Sequence, residues 1–134
     1  MSVVMRGRST GTHTVEVVHD SGAVLHTMAP RDNGGDGSSF SPTDLCAASL
    51  GACAATIMSM FAASHGIRLD GIEFEIVKDM SPPPRRIARV TATYRLRGVA
   101  SETDFQRIVA AGKACPVRLT LGDRIEVVET YQSV

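Results

Sequence analysis

Three cysteines are the residues of this sequence with the most distinctive chemistry: Cys46, Cys53 and Cys115. A cysteine is a nucleophile only as its thiolate, and a low thiol pKa needs a helix N-terminus or a nearby cation. Cys115 directly precedes Pro116 at a predicted helix start, where free amide groups favour a thiolate. Cys53 lies within a predicted helix, so its activation would need a cation from a loop or a partner chain. Both are candidate reactive thiols; the alternative is that they are inert, buried filling residues.

Other chemistry is less well supported by the spacing of residues. Cys46 lies two turns before Cys53, roughly on the same side of the helix, and is interpreted as a packing residue. The 4 His are scattered and no two cysteines are close in sequence, so a zinc site is not predicted. The glycine-rich segment 31–39 could cradle an anion, but it lacks the lysine of a phosphate-binding loop. We therefore expect no metal and no cofactor.

Cys53 is positioned by a long predicted helix within residues 40–66. Ser41 fits the N-cap, and Asp44 stands three residues later, where its carboxylate can reach back to the cap amide. Gly66 fits the left-handed position that ends a helix. Residues 45–63 carry no charge, whereas an exposed helix has a polar face. We expect a buried helix that is covered by a sheet or by a partner chain.

An apolar segment of this length could also span a membrane. This one is rich in Ala, Ser, Gly and Thr rather than in Leu and Ile, and no basic cluster flanks it. The sequence therefore favours a core helix and no association with a membrane.

The remaining elements alternate between strands and helices. Hydrophobic alternation and turn signals predict a hairpin before the long helix, then an antiparallel pair of strands, two helices and a final strand. The corresponding ranges are 12–19 and 23–28, 71–78 and 86–97, helices starting after Ser101 and at Cys115, and 124–130. This order predicts an α+β fold with antiparallel sheets around a long central helix, in a single domain over residues 1–134.

Composition limits the classes of function. The 134 residues are 43% hydrophobic and 21% charged, which suits one globular domain. The formal net charge of +0 argues against a nucleic-acid or membrane-surface partner, because such binders need a basic excess. An odd count of 3 Cys and an N-terminal segment without a signal-peptide pattern favour a reducing cytoplasm.

Three motifs together resemble the OsmC/Ohr family, the osmotically inducible protein C and organic hydroperoxide resistance proteins. They are S-P-T-D-L-x-A-A-S-L-G-A-C from Ser41, the G-G-D-G loop before it, and C-P-V at Cys115. The resemblance covers nearly the whole chain. It implies an OsmC-like fold and an intertwined homodimer, with the two long helices at the centre and each active site at the subunit interface.

The same resemblance implies a cysteine-based thiol peroxidase of the oxidative stress response. Cys53 matches the family's peroxidatic cysteine, which attacks an organic hydroperoxide and becomes a sulfenic acid. Cys115 matches the resolving cysteine, which forms a disulfide with it. An external dithiol, of the lipoyl type in characterised relatives, then reduces that disulfide.

One position departs from the peroxidase pattern. Peroxidase members carry a Glu directly after the motif proline, where it orients the catalytic arginine; this chain has Thr43, with Asp44 one position later. Arg6, Arg8 and Arg31 are the candidates for the activating cation, and Thr43 and Asp44 for supporting roles. The departure favours an alternative function, a non-peroxidase OsmC-like dimer that binds a small apolar or electrophilic molecule in the interfacial pocket.

Overall fold

The computed structural model describes residues 1–134, which fold as two compact units, Met1–Cys46 and Ala47–Val134. The α+β class is confirmed, while the single-domain organisation stays a prediction. The elements are strands β1 (Met5–Ser9), β2 (Thr14–His19) and β3 (Val24–Met28), helix α1 (Pro42–Ser64), strands β4 (Gly71–Met80) and β5 (Ile87–Arg97), helices α2 (Glu102–Lys113) and α3 (Pro116–Leu121), and strand β6 (Glu126–Ser133).

The first unit is built on a three-stranded antiparallel sheet in the order β1-β2-β3. The predicted hairpin between β2 and β3 is confirmed. Strand β1 was not predicted, because its sequence, MRGRS, has no alternation of apolar and polar residues and all five of its residues are exposed. Its partner β2 supplies the pairing that its own sequence does not indicate.

The second unit contains a sheet in the order β4-β5-β6. Strands β4 and β5 pair antiparallel, as predicted, and β6 joins the other side of β5 in parallel. A parallel pair needs a crossover connection, and α2 and α3 provide it. The inward residues of β5 are Val90, Ala92, Tyr94 and Leu96, all fully buried. The central strand β5 therefore contributes these four side chains to the hydrophobic core.

Helix α1 has the ends that its sequence predicts. The amide of Ser41 donates to Asp44 Oδ2 at 2.8 Å, and the amide of Asp44 donates to Ser41 Oγ at 3.1 Å, which completes a capping box. Gly66 has φ +63°, and the amide of Ile67 reaches back to the carbonyl of Ala62 at 2.9 Å. These local contacts set the length of the helix.

One face of α1 is buried and the other is exposed within a single chain. The buried face contributes small and apolar residues to the core: Ala47, Leu50, Gly51, Ala54, Met58 and Ala62. On the opposite side, Met60 is 62% exposed although it is apolar. The helix is long and apolar enough to cross a membrane by length and composition alone, a test that core helices of soluble proteins also pass. A single chain therefore buries one face of α1 and leaves the other without the predicted cover.

Candidate functional site

The two cysteines matched by the sequence motifs come together in the second unit. Cys53 is half-buried on α1, and Cys115 is fully buried at the N-cap of α3. Both are free thiols, and Cys53 packs against the core cluster to which Cys115 belongs. Cys46 is exposed in the first unit, so its interpretation as a packing residue would require a partner chain. A reagent can therefore reach Cys53 more readily than the buried Cys115.

The environment of Cys115 favours the protonated thiol. Burial raises its pKa, and the hydrogen bond with Cys53 and the charge of Glu129 raise it further. The amide of Arg118 donates to the Cys115 sulfur at 3.4 Å and opposes this shift, but it is outweighed. The helix start favours the thiolate as predicted, through the Arg118 amide, but α3 has only six residues and burial of the thiol has the larger effect on its pKa.

Beside the thiols lies an ion pair that the sequence analysis did not identify. The guanidinium of Arg118 donates to Glu129 Oε1 at 2.9 Å, and the hydroxyl of Tyr131 donates to Glu129 Oε2 at 2.5 Å. The Glu129 side chain is only 12% exposed. The sequence could have indicated this position. Glu129 alternates with the apolar residues Val127 and Tyr131, so all three lie on the inward face of β6.

Three aromatic rings form a row across the same sheet. Tyr94 is the register partner of Phe74 on one side and of Tyr131 on the other. Its ring stacks on Tyr131 with centroids 4.9 Å apart and is tilted against Phe74 at 6.2 Å. The Tyr94 hydroxyl is buried and has no hydrogen-bond partner among the protein atoms. The second unit thus combines two thiols, a paired carboxylate and an unpaired phenol.

The three arginines predicted as activating cations all lie in the first unit, on exposed positions. Arg6 is 3.7 Å from Asp20, and Arg8 donates to Glu16 at 3.1 Å. Arg31 Nε donates to the carbonyl of Asp36 at 2.9 Å, within the loop that precedes α1. The approach of one of these arginines to Cys53 stays a prediction.

Thr43 and Asp44 both contact the start of α1. Asp44 forms the capping box with Ser41, and the Thr43 hydroxyl is 3.1 Å from the Ser41 hydroxyl. These contacts stabilise the helix start, and a supporting role toward an arginine stays a prediction. No group of three or more His, Cys, Asp or Glu side chains is arranged to hold a metal ion.

Comparison with known families and structures places the chain in a defined group. Residues 35–130 match the family described as OsmC-like protein. No curated protein sequence matches the chain significantly.

Several solved structures share the fold over nearly the whole chain. A protein from Psychrobacter arcticus, named for an osmotic stress and detoxification response, is 26% identical with a TM-score of 0.87, over 100% of this chain and 97% of that one. An organic hydroperoxide resistance protein from Legionella pneumophila is 19% identical with a TM-score of 0.77, over 98% and 97%. The organic hydroperoxide resistance protein OhrB of Bacillus subtilis is 19% identical with a TM-score of 0.72, over 98% of both chains. The last two likenesses concern the fold alone.

Proposed function

The chain belongs to the family of OsmC-like proteins, and on that premise we propose that it is a cysteine-based thiol peroxidase that reduces organic hydroperoxides. Membership of this family supports a role in redox chemistry and stress defence at the level of the family. The observation that supports the finer proposal most directly is that the half-buried Cys53 packs against the core cluster that contains the buried Cys115. Two neighbouring thiols can be oxidised to one disulfide.

In the first step of the proposed reaction, the Cys53 thiolate attacks the terminal oxygen of the hydroperoxide. A sulfur–oxygen bond forms and the peroxide oxygen–oxygen bond breaks. The product alkoxide takes up a proton and leaves as the alcohol, and Cys53 remains as a sulfenic acid. Cys53 suits this step because it is the more accessible of the two thiols.

In the second step, the Cys115 sulfur attacks the sulfenic sulfur of Cys53. A sulfur–sulfur bond forms, the sulfur–oxygen bond breaks, and the hydroxide leaves as water with the proton of Cys115. An external dithiol then exchanges with the disulfide and restores both thiols. The raised pKa of Cys115 supports this assignment, because a protonated thiol does not compete for the peroxide but retains the proton that water formation consumes.

The proposal includes a homodimer in the cytoplasm. The uncharged exposed face of α1 supports a second copy, and an arginine among Arg6, Arg8 and Arg31 would supply the activating cation, from the same chain or from the partner. Thr43 would replace the glutamate that orients this arginine in peroxidase members. A neutral hydroxyl is a weaker partner for a guanidinium than a carboxylate, so the arginine would be held less firmly.

The proposal is tested by the intact mass of the protein after a stoichiometric pulse of tert-butyl hydroperoxide, together with a count of free thiols. The wild type is expected to lose two hydrogens and two thiols as the Cys53–Cys115 disulfide forms. Cys53→Ser should not react, because a serine hydroxyl is far less acidic than a thiol. Cys115→Ser should gain oxygen at Cys53 and proceed to the sulfinic acid with excess peroxide.

Cys46→Ser is the matched control, since Cys46 lies on the same helix as Cys53 but outside the thiol pair. This variant should form the disulfide like the wild type. A folded wild type that leaves the hydroperoxide unconsumed would contradict the peroxidase proposal. The alternative would then remain, a dimer that binds a small apolar or electrophilic molecule.

A further inference from the structure

The Tyr94 hydroxyl is the one buried side-chain polar group in this structure that has no hydrogen-bond partner. Tyr94 is fully buried at the centre of β5. A buried donor without an acceptor is costly, and in native proteins such a group calls for an explanation in terms of function or of a bound molecule. Tyr94 shares its core cluster with Cys115, and Cys53 packs against the same cluster.

Tyr131 provides the comparison within the same structure. The two rings stack on each other in register, 4.9 Å apart, so they share one environment. The Tyr131 hydroxyl donates to Glu129, whose carboxylate also accepts from Arg118. Tyr131 therefore has an acceptor for its hydroxyl proton, whereas Tyr94 has none.

Tyr94 and Cys115 belong to the same buried core cluster, and Cys53 packs against that cluster. Burial is the largest cause that raises the pKa of Tyr94, and the charges of Glu129 and of the two cysteines act in the same direction. The phenol therefore stays protonated at neutral pH and remains a hydrogen-bond donor. A donor fixed near two thiols is suited to an oxygen atom that arrives at one of them.

We propose that the Tyr94 hydroxyl donates a hydrogen bond to the oxygen atom that Cys53 takes from the hydroperoxide. This inference rests on the proposed function and adds a catalytic residue to it. In the first step, the hydrogen bond stabilises the oxygen as its bond to the Cys53 sulfur forms and its bond to the alkoxide oxygen breaks. In the second step, it stabilises the same oxygen as it leaves as hydroxide and takes the Cys115 proton to become water. Tyr94 itself gives up no proton in either step.

The test compares Tyr94→Phe with Tyr131→Phe, two variants that each remove one hydroxyl from the same stack. The rate of Cys53 oxidation by tert-butyl hydroperoxide is measured by stopped flow, and unfolding in denaturant is measured in parallel. Tyr94→Phe should fold with a midpoint at or above that of the wild type, because the hydroxyl it removes has no partner. Its oxidation should be slower by at least about tenfold. This is a smaller effect than the loss of about 100-fold or more that follows removal of an oxyanion-hole donor.

Tyr131→Phe is expected to show the opposite pattern. It loses the hydrogen bond to Glu129 and should unfold at lower denaturant, while its oxidation rate stays that of the wild type. Equal rates in Tyr94→Phe and the wild type would overturn the inference while leaving the peroxidase proposal standing.

A second measurement separates the two proposals. In the Cys115→Ser background, Cys53 is converted to its sulfenic acid with hydrogen peroxide, and the tyrosine absorption difference spectrum is recorded. A red shift on oxidation is expected, because a phenol that donates a hydrogen bond absorbs at longer wavelength. The shift should persist with Tyr131→Phe and vanish with Tyr94→Phe. A protein that ignores tert-butyl hydroperoxide but shows this shift would refute the substrate class alone, whereas a sulfenic acid without the shift would refute the role of Tyr94.

Discussion

At the residue scale, the thiols and the phenols of the second unit show how burial controls ionisation. Burial is the leading cause that raises the pKa of Cys115, of Tyr94 and of Tyr131. For Tyr131, the hydrogen bond to Glu129 adds to this effect. The three groups are therefore proton-bearing in the folded chain at a pH at which the unfolded chain has already begun to lose those protons.

This arrangement predicts a specific loss of stability at alkaline pH. The unfolded thiol titrates near about pH 8.5 and the unfolded phenols near about pH 10. Above these values the folded chain retains protons that the unfolded chain has released, so stability is complete below about pH 8.5 and falls as the pH rises. Each retained proton contributes a slope of at most about 1.4 kcal/mol per pH unit. The pH dependence of the free energy of unfolding is measured by denaturant unfolding from pH 7 to 11, with linear extrapolation to zero denaturant.

The control for this prediction is Tyr94→Phe, which removes one of the three buried acids. Above about pH 10 its stability should fall less steeply with pH than that of the wild type. Parallel curves for the two proteins would show that Tyr94 titrates in the folded chain as it does in the unfolded one.

The residues of the site differ in how far the sequence could predict them. Cys53 and Cys115 were identified from motifs that surround them in the chain. Glu129 lies 14 positions after Cys115, on another strand, and its contact with Arg118 depends on the parallel pairing of β6. The unpaired state of Tyr94 could not be predicted from any pattern, because it depends on which acceptors the folded core places around its hydroxyl.

At the scale of the elements, local chemistry predicted the helices better than the edge strands. The capping residues of α1, α2 and α3 act on amides within three residues of themselves: Ser41, Ser101 and Cys115 each accept from the backbone amide three positions later. Strand β1 depends instead on its pairing with β2. A contact within one helical turn can be predicted from neighbouring residues, whereas the pairing of two strands depends on residues that are distant in the sequence.

The crossing of α1 over β4 makes a prediction about Gly51. A β-carbon at this position would lie 2.5 Å from two ring carbons of Phe74, closer than real side chains come. Replacing glycine by alanine within a helix normally stabilises it by about 1 kcal/mol. We expect Gly51→Ala to destabilise the protein instead, by about 1–3 kcal/mol, because the Phe74 ring must move out of its place beside Tyr94.

Gly71→Ala is the matched control, since nothing lies within 4 Å of its added β-carbon. Its stability should stay within about 0.5 kcal/mol of the wild type. The free energies of unfolding of both variants are measured by denaturant unfolding. A Gly51→Ala protein more stable than the wild type would show that α1 is not in close contact with the Phe74 ring at this position.

At the scale of the whole molecule, the surface of a single chain retains apolar residues that one domain would be expected to bury. Met60 on α1 is 62% exposed, Phe74 on β4 is 41% exposed and Leu119 on α3 is 70% exposed. The sequence had indicated this indirectly, because residues 45–63 carry no charge on any side of the helix. It could not indicate how much of that surface the chain's own sheet covers. The uncovered part is what a second copy of the chain would cover in the proposed homodimer.

The homodimer is therefore the last prediction, and a charge on the exposed face of α1 tests it. Met60→Lys places an ammonium group where the partner helix is expected, and burying an unpaired charge costs more than an interface of small side chains gains. The wild type should sediment as a dimer at micromolar concentration, and Met60→Lys should shift it toward the monomer. Gln106→Lys introduces the same charge on the exposed, polar side of α2 and should leave the dimer intact. A wild type that sediments as a folded monomer would contradict the prediction, since the uncharged face of α1 would then be stable in water without a partner.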